Sequence, residues 1–192
     1  MNLPNRIFFT GVPGSKWSGI AQVIEDNVPG MNISDRSPER QYIHEDFTGH
    51  VGAYFGDKME FPADVKAADF AHKSLDGCRL IKSHDWSYII DEIKFRRPND
   101  WIMMVYRNDY DSFNWWKKAG GFEITYPNYE SYIDDRHMKS EIRNQNKSMV
   151  DSGIKYNCIW SPFDAEFMKS NFGVSPDLDY KKWDGIHVTI IK

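Results

Sequence analysis

The chain has few cysteines, no long apolar run and no signal-like start, and each shortage excludes a class of protein. Only two cysteines occur in 192 residues, Cys78 and Cys158, and they are far apart. Neither a zinc knuckle nor a disulfide framework is therefore indicated. No apolar run approaches the roughly 20 residues that a membrane span needs, and the N-terminus has no signal-peptide core. We expect a cytoplasmic protein with no membrane partner.

The chain also has fewer basic than acidic residues. The chain has 24 Lys and Arg against 28 Asp and Glu, which gives a net charge of -4, and it has no long basic run. Non-specific nucleic-acid binding depends on many Lys and Arg contacts to phosphate groups. We therefore expect a small-molecule partner rather than nucleic acid.

Apolar residues are abundant and periodic. They make up 41% of the chain, and 192 residues are enough for one domain, expected over 1–192, with a sizeable core. Strands are expected over residues 7–10, 78–84, 101–106 and 156–160, with a last one around 186–190. Helices are expected over residues 17–27, 62–75, 86–95, 109–119 and 129–150, and one more starting at Ser161-Pro162. This alternation predicts a three-layer α/β fold with a central parallel sheet flanked by helices.

A loop of small residues follows the first apolar run and leads into a segment of helical spacing. Its residues are Gly11-Val12-Pro13-Gly14-Ser15-Lys16-Trp17-Ser18. A strand, a glycine turn and a helix N-terminus form an anion site, because free backbone N–H groups and the helix dipole favour negative charge. Lys16 adds positive charge there. The alternative is a plain strand-to-helix turn.

This loop is not a Walker A motif, which requires Gly, four residues and then Gly-Lys-Ser/Thr. Ser15 separates Gly14 from Lys16, and Trp17 stands where a Ser or Thr would bind magnesium. The spacing therefore argues against a magnesium-dependent phosphate site, and we expect no metal.

Two further strand ends carry polar residues. Lys82 and His84 alternate at the end of the second strand, so both lie on one face of an extended segment. Histidine titrates near neutrality and can accept a proton from a hydroxyl, although a solvated polar strand end would look the same. Arg107 ends the third strand and Ser112 follows about one helical turn later, a pattern that can grip a phosphate or simply form surface ion pairs. In a parallel sheet these strand ends meet at one crevice.

Together these three peptides resemble the sulfotransferase family that uses 3′-phosphoadenosine 5′-phosphosulfate. The family's Pro-Lys-Ser-Gly-Thr-type loop, Lys-Thr-His strand end and Val-Arg-Asn-Pro motif are similar to three segments of this chain, taken in order. These are Pro13-Gly14-Ser15-Lys16-Trp17-Ser18, Lys82-Ser83-His84 and Val105-Tyr106-Arg107-Asn108. The resemblance covers chiefly residues 7–119.

The resemblance implies an activity and a set of roles. It implies a P-loop-like sulfotransferase architecture that moves a sulfuryl group to a hydroxyl or amine of a small acceptor, with adenosine 3′,5′-bisphosphate as product and no metal required. His84 would be the catalytic base, helped by Lys82 and Lys16. The loop residues 13–18 would bind the 5′-phosphosulfate, and Arg107 would bind the 3′-phosphate.

The chain departs from the family pattern at three places. The family's loop lysine aligns with Gly14, whereas the lysine here is Lys16. The family's second 3′-phosphate ligand, a serine, aligns with Trp115, so Ser112 is expected to substitute for it. The nearest match to the family's C-terminal basic segment is Lys181-Lys182.

Two other functions stay open. The first is a P-loop kinase of a small metabolite, which would use magnesium and ATP. The second is a nucleotide-binding protein without catalysis. A cluster of His44, Glu45, Asp46 and His50 has spacing that matches no strong metal pattern, and nearby aromatic residues, among them Tyr42 and Phe55, are candidate acceptor contacts.

Overall fold

The structure, a computed structural model, describes residues 2–33, 64–65, 76–123 and 133–192. Most of the expected helix over 62–75 and the start of the one expected from residue 129 lie outside these ranges. The same holds for the histidine and carboxylate cluster at residues 44–50 and for the aromatic candidates around it.

Five strands form one sheet. Their bounds are β1 Arg6–Gly11, β2 Arg79–Lys82, β3 Trp101–Arg107, β4 Ser161–Pro162 and β5 Ile186–Ile191. The order across the sheet is β2-β1-β3-β5-β4. Both β2 and β3 pair with β1 in parallel, whereas β5 pairs antiparallel with β3 and β4. The fold is thus α/β, with a mixed sheet rather than the wholly parallel one expected.

Five α-helices accompany the sheet in the described part of the chain. Their bounds are α1 Trp17–Asn27, α2 Ile90–Arg96, α3 Asp109–Lys118, α4 Asp135–Lys155 and α5 Ala165–Phe172, with short 3₁₀ turns at His84–Tyr88, Gly121–Glu123 and Tyr180–Trp183. Side-chain caps fix three of the starts: Asn108, Asp134 and Asp164 each accept a hydrogen bond from a backbone N–H three residues on. Among the helices described, none has both the length and the apolar character to cross a membrane.

The sheet separates two apolar clusters, so the described residues form three layers. Along β1, Ile7 and Phe9 face one cluster and Phe8 faces the other, as the two-residue repeat of a strand requires. The first cluster packs α1 and α5 against the sheet, and the second packs α2, α3 and α4 against the opposite face. Strands buried on both faces explain the continuous apolar runs of the sequence.

The connections leave β1 and β3 toward opposite faces of the sheet. The chain passes from β1 into α1 on one face and from β3 into α3 on the other. Neighbouring strands whose connections diverge leave a crevice at their carboxyl ends, where α/β proteins bind ligands. The loop after β1 and the residue Arg107 at the end of β3 therefore border the same crevice.

The C-terminal part of the chain differs in detail from the expectation. Helix α4 continues to Lys155, past the end expected at residue 150, and so includes Gly153. A Cβ on Gly153 would come within 2.9 Å of the Trp160 indole nitrogen. Ser161–Pro162 forms β4 rather than a helix start, since Asp164 caps α5 three residues later. Strand β5 enters the sheet beside Arg107, at the carboxyl end of β3, and so must run antiparallel to it.

A buried ion pair ties α1 to the edge strand β2. The Lys82 Nζ atom lies 2.6 Å from Oε1 of Glu25, and the two side chains are 3% and 5% exposed. Two charges this deep are costly unless they stay together, so removing one leaves the other uncompensated.

Replacing Glu25 by glutamine tests how much this pair supports the fold. We expect Glu25→Gln to lower the free energy of unfolding by about 3–5 kcal/mol, since the Lys82 ammonium stays buried without its counter-charge. The control is Glu92→Gln, which breaks the half-exposed pair with Arg96 and should cost less than about 1 kcal/mol. Equally small losses in urea melts of both variants would show that Lys82 does not need Glu25.

Candidate functional site

The loop between β1 and α1 turns tightly through two left-handed residues. Gly14 has a φ of +79° and Lys16 a φ of +62°, and the Ser15 N–H donates to the Val12 carbonyl at 3.0 Å. Helix α1 begins directly afterwards at Trp17. A left-handed residue other than glycine is uncommon and is often found at functional sites. The turn sets the start of α1, with its positive dipole end, at the carboxyl edge of the sheet.

Glycine is sterically required at two places in this loop. A Cβ on Gly14 would lie 1.9 Å from the carbonyl oxygen of Ser112 in α3. A Cβ on Gly11 would lie 2.7 Å from the Cβ of Trp17. The loop is therefore packed directly against the backbone of α3, which brings the end of β3 beside it.

Two cations from different elements meet over one aromatic ring. The Lys16 ammonium lies 4.1 Å from the ring centre of Trp115 in α3, and the Arg107 guanidinium carbon lies 5.8 Å from it. Arg107 also donates from Nη1 to the Gly14 carbonyl at 3.2 Å, and Lys16 donates to the Lys182 carbonyl at 2.6 Å. An aromatic face attracts cations, so Trp115 holds both charges at the mouth of the loop.

The charge balance around Lys16 favours an anion. Burial, together with the nearby charges of Arg107 and Lys182, lowers the pKa of Lys16 to about 8, although Asp179 and Asp184 act in the opposite direction. A depressed lysine pKa records an excess of positive charge in a partly dehydrated place. A negatively charged ligand would relieve that excess.

Two polar atoms of the site are buried without a hydrogen-bond partner. They are the hydroxyl of Ser15, whose residue has no exposed surface, and Nε of Arg107. Buried polar atoms are nearly always hydrogen-bonded, and exceptions concentrate where ligands or ions belong. Both atoms belong to residues that the sequence already indicated as anion ligands.

His84 is fixed against the loop. Its Nδ1 donates to the Gly11 carbonyl, its own carbonyl accepts the Thr10 hydroxyl at 3.2 Å, and its ring packs 4.4 Å from that of Trp17. A carbonyl can only accept, so Nδ1 carries the proton and Nε2 is the basic nitrogen of the neutral ring. This is the tautomer that a general base requires.

The other residues that the sequence indicated for the site are either paired with another side chain or buried. The Lys82 ammonium is neutralised by Glu25, so its catalytic role stays a prediction. Ser112 is fully buried and donates its hydroxyl to the Arg107 carbonyl at 3.2 Å, which orients the end of β3, and phosphate binding by Ser112 also stays a prediction. Trp17 and Ser18 are buried, as is Pro13.

The structure adds contacts that the sequence did not indicate. Trp115 is marked in the sequence only as a departure from a family pattern, yet it supports both cations. Burial and, secondarily, the charge of Glu141 in α4 raise the pKa of Asp85, in the 3₁₀ turn after β2, to about 6. Nothing in sequence spacing links residues that are so far apart.

Two cavities found among the described residues lie away from the loop. One of about 510 Å³ is lined by residues that include Cys158, Thr189 and Lys192, and one of about 240 Å³ is lined by residues that include Tyr88 and Ser152. Within the same part of the chain, no three His, Cys, Asp or Glu side chains are grouped so as to hold a metal ion.

Comparison with known proteins gives no relative. No family model matches the chain, no curated protein is significantly similar to it, and no solved structure matches its fold significantly. Arguments about function therefore rest on the site itself.

The contact of Gly14 with α3 can be tested by adding a methyl group. We expect Gly14→Ala to lower the free energy of unfolding by about 1–2 kcal/mol for its left-handed backbone and about 1–3 kcal/mol more for the clash with the Ser112 carbonyl. Gly30→Ala is a matched control, since Gly30 has a φ of +87° with nothing within 4 Å of an added Cβ. Equal losses in the two variants, measured by chemical denaturation, would contradict the close approach.

Proposed function

We propose that the protein is a sulfotransferase that moves a sulfuryl group from 3′-phosphoadenosine 5′-phosphosulfate to a hydroxyl or amine of a small acceptor. The observation that carries this proposal is that the Lys16 and Arg107 side chains both pack against the Trp115 ring beside the turn at Gly14. Cations, the start of α1 and a histidine thus lie near the crevice between β1 and β3. They come from the three segments that resemble that family, and these segments follow one another in the same order. A P-loop-like sulfotransferase architecture belongs to the same proposal.

The residues present fit the phosphosulfate end of such a donor. The unpaired Ser15 hydroxyl offers a donor for an anionic oxygen of the phosphosulfate, and the start of α1 favours negative charge. Lys16 and Lys182 add positive charge within the same cluster. Arg107 would hold the 3′-phosphate, for which a planar fork of donors is suited.

When bound, the donor supplies an activated sulfuryl group and leaves as adenosine 3′,5′-bisphosphate. Nε2 of His84 would accept the proton from the acceptor hydroxyl or amine. Lys16 would neutralise charge on the oxygens of the transferred group and on the departing phosphate, which is how fixed charges lower the barrier to group transfer. The Gly11 carbonyl would hold the histidine in place and stabilise the positive charge that it acquires.

A kinase that uses magnesium and ATP is the second candidate. Trp17 stands where the Walker A hydroxyl would bind magnesium, and its side chain is buried and stacked on Phe9. It therefore offers no metal ligand at that position, which favours the sulfotransferase.

Thermal melting with nucleotides tests the proposal. We expect adenosine 3′,5′-bisphosphate at about 100 times its dissociation constant to raise the stability by about 2.7 kcal/mol. Adenosine 5′-monophosphate, which lacks the 3′-phosphate, should act less strongly, and Arg107→Gln should remove the difference. A shift with ATP and magnesium alone would support the kinase, and no shift with any of the nucleotides would contradict both.

The pKa of Lys16 predicts the pH dependence of binding. Because that pKa is lowered to about 8, Lys16 loses its charge as pH rises through this value in the empty protein. Affinity for adenosine 3′,5′-bisphosphate should therefore fall about tenfold between pH 7 and pH 9.5, the value of one charge-assisted hydrogen bond.

Lys16→Met should bind the nucleotide weakly and nearly independently of pH over this range, whereas Lys169→Met, which removes an exposed lysine on α5, should behave as the wild type does. Isothermal titration measures all three proteins. A fall in affinity of the same size in Lys16→Met would show that another group titrates.

A further inference from the structure

A buried asparagine of α4 reaches the end of β3. Asn146 is 3% exposed, and its Nδ2 donates to the Arg107 carbonyl at 2.8 Å and to Oδ1 of Asp109 at 2.7 Å. Both neighbours are acceptors, so the nitrogen of the amide, and not its oxygen, must face them. Asparagine is a weak helix former. Its position inside a 21-residue helix is therefore better explained by these contacts than by helix propensity.

The Arg107 carbonyl is held from two sides. The Ser112 hydroxyl in α3 donates to it at 3.2 Å, and Asn146 in α4 is the second donor. A carbonyl oxygen has two lone pairs, so these two donors fill it. The direction of the carbonyl fixes the peptide plane at the end of β3. The Arg107 side chain starts from this fixed backbone and donates to the Gly14 carbonyl at 3.2 Å.

The same asparagine restrains the acidic residue nearest to Arg107 in sequence. Asp109 lies two residues after Arg107, where it could form the ion pair that often neutralises an arginine at a surface. Its Oδ1 instead accepts from Asn146, and its Oδ2 lies 3.8 Å from Nε of Arg143 in α4. Both oxygens of Asp109 are thus engaged by α4, while the Arg107 guanidinium packs against Trp115.

We propose that Asn146 is a positioning residue of the anion site: its amide fixes the Arg107 carbonyl and restrains Asp109, so that the Arg107 guanidinium stays directed to the loop after β1. This inference rests on the proposed function, because it takes Arg107 as the residue that holds the 3′-phosphate. Asn146 itself acts only through Arg107 and Asp109.

Two nucleotides that differ in one phosphate test the proposal. Adenosine 3′,5′-bisphosphate and adenosine 5′-monophosphate differ in the 3′-phosphate alone, so the ratio of their dissociation constants reports on Arg107. We expect wild type to prefer the bisphosphate at least about tenfold, as a hydrogen bond to a charged group implies. Asn146→Ala should lower this preference to about threefold or less. Asn146→Asp keeps the shape of the side chain without a donor at neutral pH and should act in the same way.

A second hydrogen bond of α4 provides the matched control. Ser148, two residues further along the helix, donates from its hydroxyl to the Ser87 carbonyl at 2.6 Å. Ser148→Ala should lower the melting temperature by a few degrees, as Asn146→Ala does, since each variant loses one contact between α4 and its neighbours. Ser148→Ala should nevertheless keep the preference of the wild type. The pair separates positioning of Arg107 from a general loosening of α4.

A measurement on the empty protein does not depend on the nucleotide. The Nε–H cross-peak of Arg107 in ¹⁵N-labelled protein reports the surroundings of the guanidinium. We expect this cross-peak to move in Asn146→Ala and in Asn146→Asp and to stay in place in Ser148→Ala. Melting of each empty variant shows that it folds, and either of the two Asn146 variants suffices if the other unfolds.

Retention of the bisphosphate preference in the Asn146 variants, or an equal loss of it in Ser148→Ala, would overturn the inference and leave the proposed function standing. Equal binding of the two nucleotides by wild type would instead reject the proposed function. In that case the cross-peak decides the inference by itself: a shift confined to the Asn146 variants supports it, and an unmoved cross-peak overturns it as well.

Discussion

The packing of Gly14 against the backbone of α3 is the constraint on which the rest of the site depends. Only a residue without a Cβ allows the Ser112 carbonyl to come so close. That approach brings Arg107 within hydrogen-bond distance of the Gly14 carbonyl and sets Trp115 under the Lys16 ammonium. A bulkier residue would separate the loop after β1 from the end of β3 and disperse the positive charge.

The charges around the sheet edge are arranged by sign. Lys16, Arg107 and Lys182 gather on the side of the loop, where their proximity depresses the pKa of Lys16. Asp85 lies in the turn after β2, where burial and the charge of Glu141 in α4 raise its pKa. Like charges held together in an empty protein reduce its stability, and such arrangements are frequent where a ligand of opposite charge belongs. His84 is anchored at the loop and is the residue preceding Asp85.

The fold was largely predictable because burial on both faces of a sheet leaves continuous apolar runs. The strands β1, β2 and β3 and the final strand β5 follow from those runs. The direction of β5 did not follow, because it depends on which end of the sheet the chain reaches after the turn at Tyr180–Trp183. The end of α4 was misjudged for a similar reason: Gly153 signals a helix end in sequence, but here it makes room for Trp160.

The site was predictable only in part. Strand ends indicated Gly14, Lys16, His84 and Arg107, because parallel strands bring their carboxyl ends together. The ion pair between Lys82 and Glu25 was not predictable, because Glu25 lies 57 positions earlier in the sequence. The charge that acts on Asp85 comes from Glu141 of α4, and no local pattern marks such pairs, since separate elements come together only through packing.

The most direct test of the central claim is to map nucleotide binding on the backbone amides by NMR. Adenosine 3′,5′-bisphosphate added to ¹⁵N-labelled protein should cause its largest shifts at the amides of residues 14–18 and at Nε of Arg107. Free Ser15 and Arg107 donors should then acquire partners. The absence of shifts, or shifts centred on the cavity beside Cys158 and Lys192, would contradict an anion site at the β1–α1 loop.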